Sequence, residues 1–287
     1  MLAAALLLGA PPAFPLGLER IGEIVPAGGD AAFQAPAALW YDGVRDLLAV
    51  ACPNVHRVFV VDRQGRVRKE FGKEGELGFP RAVAVRRDGT LYVGYWESES
   101  LAAFERYGGA AEEARTLSLA PHRGAAPVRP TALFAAEDGD LYVADRGNRQ
   151  VLVLGEDGTL KRTVRDVGEP ADVWVHRETL YVAEPAFGGV RVYDGRGKLL
   201  RTLGTSPSQF RQPLRPKAVA VDRSERVWVL EEGSRGIKAL DAFGNLLFTR
   251  SGDDLFAPAD LTIGAGDTLY VLEEGGNRIA VFRISAP

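Results

Sequence analysis

Asp172 and Asp260 hold equivalent places in a pattern repeated along this 287-residue chain, where the other copies carry Ala38, Ala82, Ala132 and Ala218. Two carboxylates entering one channel have the charge and the hard oxygen donors to hold a cation, and calcium is a cation that prefers such donors. The plainer expectation is that each carboxylate bonds backbone amides at the head of its own strand. One residue earlier in each copy stand Ala37, Arg81, Thr131, Ala171, Lys217 and Ala259. Arg81 and Lys217 are the cations of that set, and together they suit an acidic group on a ligand. Tyr95, Trp96 and Phe187 put aromatic rings in loops that the pattern otherwise keeps polar, and such rings serve as interface anchors. Arg81, Tyr95, Trp96, Asp172, Phe187, Lys217 and Asp260 form the expected ligand-binding set.

Other chemistries lack their parts. Zinc needs at least three converging protein ligands, and His56, His122 and His176 fall in different regions of the pattern. The single cysteine, Cys52, permits no intramolecular disulfide and reads as a small half-buried thiol. No G-x-S-x-G motif marks a serine nucleophile. The glycines fall at turns, not in a loop that cradles phosphate. No residue is assigned a catalytic role, and no cofactor is expected apart from that calcium ion.

The elements that must position these residues recur every forty to fifty residues or so. Pro36, Pro80, Pro130, Pro170, Pro216 and Pro258 open the copies. After them come Leu91-Tyr92-Val93, Leu141-Tyr142-Val143, Leu180-Tyr181-Val182, Val227-Trp228-Val229 and Leu269-Tyr270-Val271, with Leu48-Ala49-Val50 as a degenerate first copy. A period of that length built from short strands marks a β-propeller. The fold class is therefore all-β, a six-bladed β-propeller of four-stranded antiparallel blades.

In the third copy the inner strand is Thr131 to Ala135, Asp138-Gly139 turns a tight hairpin in which both residues tolerate positive φ, and Leu141 to Ala144 is the second strand. Val151 to Leu154 and Thr159 to Val164 complete the blade. Both faces of its middle strands are apolar, as packing between two neighbouring blades requires. Outer strands carry Arg68 and Lys69, or Lys161 and Arg162, as a solvated edge does. The last copy ends at Ile284 without a fourth strand, while Leu18 to Val25 resembles the outer strand Lys198 to Leu203. The N-terminal strand is thus expected to close the last blade, so that residues 18–287 form one domain.

Composition excludes some partners. Net charge is −3, so no global basic field recruits nucleic acid or an anionic membrane. An acidic excess at the mouth, from Glu97, Glu99, Glu184, Glu231, Glu232, Glu273 and Glu274, also argues against nucleic acid. The apolar run from Met1 to Gly9 is too short to span a bilayer, so no membrane insertion is expected. Residues 1–17 read as a truncated secretory signal that lacks its basic start, which points to an extracytoplasmic, periplasmic or secreted, location.

The segment Leu141-Tyr142-Val143-Ala144-Asp145-Arg146-Gly147-Asn148-Arg149-Gln150-Val151 resembles the second strand and loop of the NHL repeat, and Leu269 to Ile279 is similar. The Phe-then-Pro element also matches, at Phe33 to Pro36, Phe79-Pro80, Phe210 to Pro216 and Phe256 to Pro258. The resemblance spans residues 18 to 284 and is weakest in the second copy. It implies a propeller whose entry loops share one mouth. Peptide-amidating lyases look like this fold and place zinc-binding histidines after the blade-opening prolines, where this chain has none. Gluconolactonase-like propellers gather carboxylates and amides around a metal, for which Asn148 and Asn277 are the nearby amides. The function read from these observations is a non-enzymatic propeller that binds a protein, peptide or glycan at its mouth. Its rival is a metal-dependent lactonase-like or lyase-like enzyme with a cation held by Asp172 and Asp260.

Overall fold

The computed structural model describes residues 16–27, 33–72, 77–96, 98–107, 114–205 and 214–285. They form six four-stranded antiparallel sheets arranged as the blades of a ring. Blades one to five each use four consecutive strands, such as Pro130–Ala135, Leu141–Asp145, Gln150–Leu154 and Leu160–Val164 in blade three. Blade six has three strands from the C-terminal end, Pro258–Gly264, Thr268–Glu273 and Arg278–Ser285. Its outer strand is Gly17–Ile24, which pairs antiparallel with Arg278–Ser285. The ring is closed by the two ends of the chain, as the missing fourth strand requires. Residues 1–15, on which the export reading rests, lie outside the described residues, as do Glu97 and Phe210.

Closure is held by burial and by charge. Leu18 and Ile24 are buried in the apolar layers on either side of blade six. Arg20 reaches Glu23 at 3.2 Å and Glu273 at 3.4 Å, and Arg278 reaches Glu23 at 2.9 Å and also pairs with Glu273. Because Glu273 is fully buried, these pairs are screened less than surface pairs.

The hairpins that turn strands away from the channel share one device. Gly65, Gly89, Gly139, Gly158, Gly197 and Gly244 all have positive φ, and each donates its amide to the carbonyl three residues earlier. In the Asp138-Gly139 turn only Gly139 has positive φ. The hairpin is therefore a four-residue turn ending in a left-handed glycine, not the two-residue type that the pair suggests.

In blades three to six the second strand ends in a carboxylate that holds the chain entering that same blade. Asp145 accepts the Arg129 amide at 2.9 Å, Glu184 the Gly168 amide at 2.7 Å, and Glu273 the Phe256 amide at 2.8 Å. Glu231 receives the Arg215 amide at 3.4 Å. These carboxylates fix the segment entering their own blade. Cys52 fills the same place in blade one, fully buried against the backbone of Gln34, and burial pushes its thiol up to about 12.

Candidate functional site

A single-residue irregularity decides which side chains face the axis. In blades two, three, five and six the pairing register slips just after the opening proline, between Pro80 and Ala82, Pro130 and Ala132, Pro216 and Ala218, and Pro258 and Asp260. A bulge breaks the alternation of a strand, so Arg81, Thr131, Lys217 and Ala259 join the wall of the axial cavity. All six residues that follow the prolines line it. The cavity has a volume of about 580 Å³.

Polar residues of this wall staple neighbouring blades in sequence. Thr131 donates its hydroxyl to the Pro170 carbonyl at 2.8 Å, joining blades three and four. Asp172 accepts the amide of Val173 in its own strand and that of Val219 in blade five, both at 2.8 Å. Lys217 donates to the Pro258 carbonyl at 3.2 Å, joining blades five and six. Asp260 accepts the amides of Leu261 and of Leu39 in blade one, both at 2.7 Å. The expectation that the aspartates bond the heads of their own strands is met, and each also reaches the next blade.

The two carboxyls sit close enough to feel each other. Burial pushes Asp260 up to about 6, against the pull of the Leu39 and Leu261 amides and of the Lys217 charge. Burial raises Asp172 further, and the Asp260 charge adds to it. Loss of solvation disfavours a carboxylate, and a like charge beside it adds to the penalty.

Arg81 takes no part in the stapling. It is exposed, lies over the Trp96 ring at 5.2 Å, and has no ion pair or hydrogen bond among the described residues. Other mouth cations are committed, Arg146 to Glu169 at 2.7 Å and Arg215 to Glu232 at 2.8 Å.

The structure brings Arg81, Trp96, Asp172, Lys217 and Asp260 to one cavity, and leaves Tyr95 and Phe187 off its wall. Tyr95 lies half-buried in a separate groove between blades one and two with Gly78 and Phe79. Phe187 sits in a short 3-10 turn with its ring over the Arg191 guanidinium, at 4.6 Å. The acidic mouth is corrected too. Glu184, Glu231 and Glu273 are buried as blade clamps, and the cavity wall balances Arg81, Arg146, Arg215 and Lys217 against Glu169, Asp172, Glu232 and Asp260. Of the histidines, His56 bonds the Gly78 carbonyl, His122 lies in a 3-10 turn, and His176 ends the inner strand of blade four; none lines the cavity.

The floor of the cavity was not anticipated. Trp40 and Trp174, from the opposed blades one and four, meet the ring of Phe134 between them, at 5.1 Å and 5.0 Å. Each tryptophan packs against three of the interblade layers, which puts both near the axis. The signal lay four residues after Pro36, Pro130 and Pro170, where the other copies carry Ala84, Ala220 and Thr262.

The chain matches no family model and no curated protein, so its likeness to the NHL repeat rests on the motifs alone. Its fold is that of many solved structures. One is a gluconolactonase from Xanthomonas campestris, with TM-score 0.66 and 20% identity over 97% of this chain and 99% of that one. Another is virginiamycin B lyase from Staphylococcus aureus, with TM-score 0.66 and 13% identity over 95% of this chain and 89% of that one. A third is a chain of Kuenenia stuttgartiensis hydrazine synthase, with TM-score 0.64 and 14% identity over 91% and 99%. At such identity the likeness concerns the fold.

Proposed function

We propose that this propeller acts on a small anionic molecule in its channel mouth, in a lactonase-like or lyase-like way, and does not dock a protein, peptide or glycan there. The observation that carries the reading is the Asp172–Asp260 pair, two neighbouring carboxyls on a cavity wall whose surroundings favour the protonated form. Perturbed titration in a cavity is a mark of functional sites. Two carboxyls on one wall, one protonated and one ionised, offer an acid and a base together. The ionised member takes a proton from water or from a substrate carbon. The protonated member gives one to the carbonyl or leaving oxygen, so the pair ends with one proton, as it began. The staples leave room for this, because each carboxylate oxygen accepts one amide and keeps a second lone pair. Arg81 holds the anionic end of the substrate.

The metal-dependent form of this reading lacks a donor set. The Lys217 charge lies near Asp260 and disfavours a second cation there. Among the described residues no three His, Cys, Asp or Glu side chains converge as ligands for an ion, so the residues present do not fit calcium. A histidine is replaced in a catalytically inactive variant of the Staphylococcus aureus lyase, whereas no histidine is among the residues lining this cavity, so the reading assigns proton transfer to the carboxyls.

The test is steady-state turnover of a panel of lactones and of carboxylates bearing a β-leaving group, with and without chelator. The reading expects turnover that survives chelator and falls at least about a hundredfold in the Asp172→Asn/Asp260→Asn double variant. No turnover of any panel member, or turnover abolished by chelator, counts against it.

A further inference from the structure

The composition of the cavity says more about its ligand, on the premise that the mouth is where the ligand binds. At the rim, Arg81 is the cation left without an acceptor among the described residues, and its guanidinium lies over Trp96. At the floor, Trp40, Phe134 and Trp174 present apolar rings. Between them the wall sets the methyl groups of Ala37, Ala38, Ala82, Ala132, Ala171 and Ala259 beside polar groups. Two of the wall's polar groups are held in staples: the Thr131 hydroxyl donates to a proline carbonyl, and so does the Lys217 ammonium.

A polyhydroxylated ligand would bury hydroxyls against alanine methyls, and each hydroxyl without a partner costs free energy. A flat apolar ring meets the reverse situation, since it gains contact with three aromatic side chains and forfeits no hydrogen bond. A guanidinium offers a planar fork that fits the two oxygens of a carboxylate or of a phosphate. We infer that the ligand is a small amphiphile with an aromatic or similarly flat ring at one end and an anionic group at the other, seated ring-down on Trp40 and Trp174 with its anion at Arg81.

Calorimetric titration with four probes separates the parts of this claim: naphthalene-1-carboxylate, 1-naphthyl phosphate, 1-naphthylmethanol and gluconate. Naphthalene-1-carboxylate or 1-naphthyl phosphate should bind, naphthylmethanol should bind about tenfold more weakly, and gluconate should bind most weakly of all. Whichever anion binds more tightly identifies the anionic group. Arg81→Ala changes an exposed side chain and should keep the fold. It should weaken the anionic probe about tenfold and leave naphthylmethanol unchanged. Trp174→Leu should weaken all three naphthalene probes. Gluconate binding as tightly as the naphthalene anions, or anion binding indifferent to Arg81→Ala, would overturn the inference. Probe binding without turnover of any panel substrate retains this inference and removes the proposed activity. Turnover of polyhydroxylated lactones with no binding of the naphthalene anions does the opposite.

Discussion

Asp260 sits between the amides of Leu39 and Leu261, and burial holds its carboxyl up at about 6. A group whose folded value lies above its ordinary one near 3.9 binds a proton more readily in the folded state. Its contribution is therefore most favourable below that ordinary value, weakens as pH rises from about 4 to about 6, and is constant above. Asp260→Asn removes the titration and one amide acceptor. The loss in melting temperature that it causes should be largest at pH 4 and should shrink toward pH 7.5; thermal scans at both pH values check this, and a gap that widens with pH contradicts it. Cys52 makes a simpler case. A fully buried thiol pushed up to about 12 is a poor nucleophile. Native protein should leave Ellman's reagent unreacted, and denatured protein should release one equivalent; a fast native reaction would show that blade one opens. The aspartates were legible because they break an alanine column. Their bonds to the next blade were not, since the sequence does not print how the inner strands sit around the ring.

The outer strand of blade six was legible as an element, because a copy lacking its fourth strand and an unassigned strand at the other end fit each other. The pairing of Gly17–Ile24 with Arg278–Ser285 makes that fit physical. Leu18 and Ile24 are both buried, and each fully buried aliphatic side chain is worth roughly 1.5–3 kcal/mol. Deleting residues 1–26 should lower the melting temperature by about 10 °C or more, and an unchanged melting temperature would mean that the ring does not depend on this closure. The bulge after the blade-opening prolines was the element-scale feature that the sequence hid. A slip of one residue leaves apolar patterning nearly intact, yet it decides that Arg81 and Lys217 reach the channel. Phe187 and Tyr95 show the same limit from the other side: a ring in a mouth-facing loop can turn away to a neighbouring cation or groove.

For the whole molecule, the repeat period determined the ring, while the character of its mouth depended on orientation. Counting glutamates made the mouth acidic, but three of them turn inward as clamps, and the cavity they leave is balanced in charge, with Arg81 at its rim uncommitted among the described residues. The aromatic floor closes that cavity, and the carboxyl pair lies on its wall, so ligand binding and proton transfer would occur in one space. The likeness to a lactonase and a lyase concerns the scaffold and does not choose between the enzymatic and the binding reading. The central claim is that Asp172 and Asp260 together keep a proton near neutral pH. Carboxyl carbon-13 NMR titration of aspartate-labelled protein, with Asp172→Asn and Asp260→Asn used for assignment, reads it directly. The account predicts that the pair still carries a proton at about pH 6 and that either substitution shifts the titration of the remaining partner downward, for Asp172 because the Asp260 charge is gone. Two carboxyls fully ionised by about pH 5, each indifferent to the other's substitution, would contradict it.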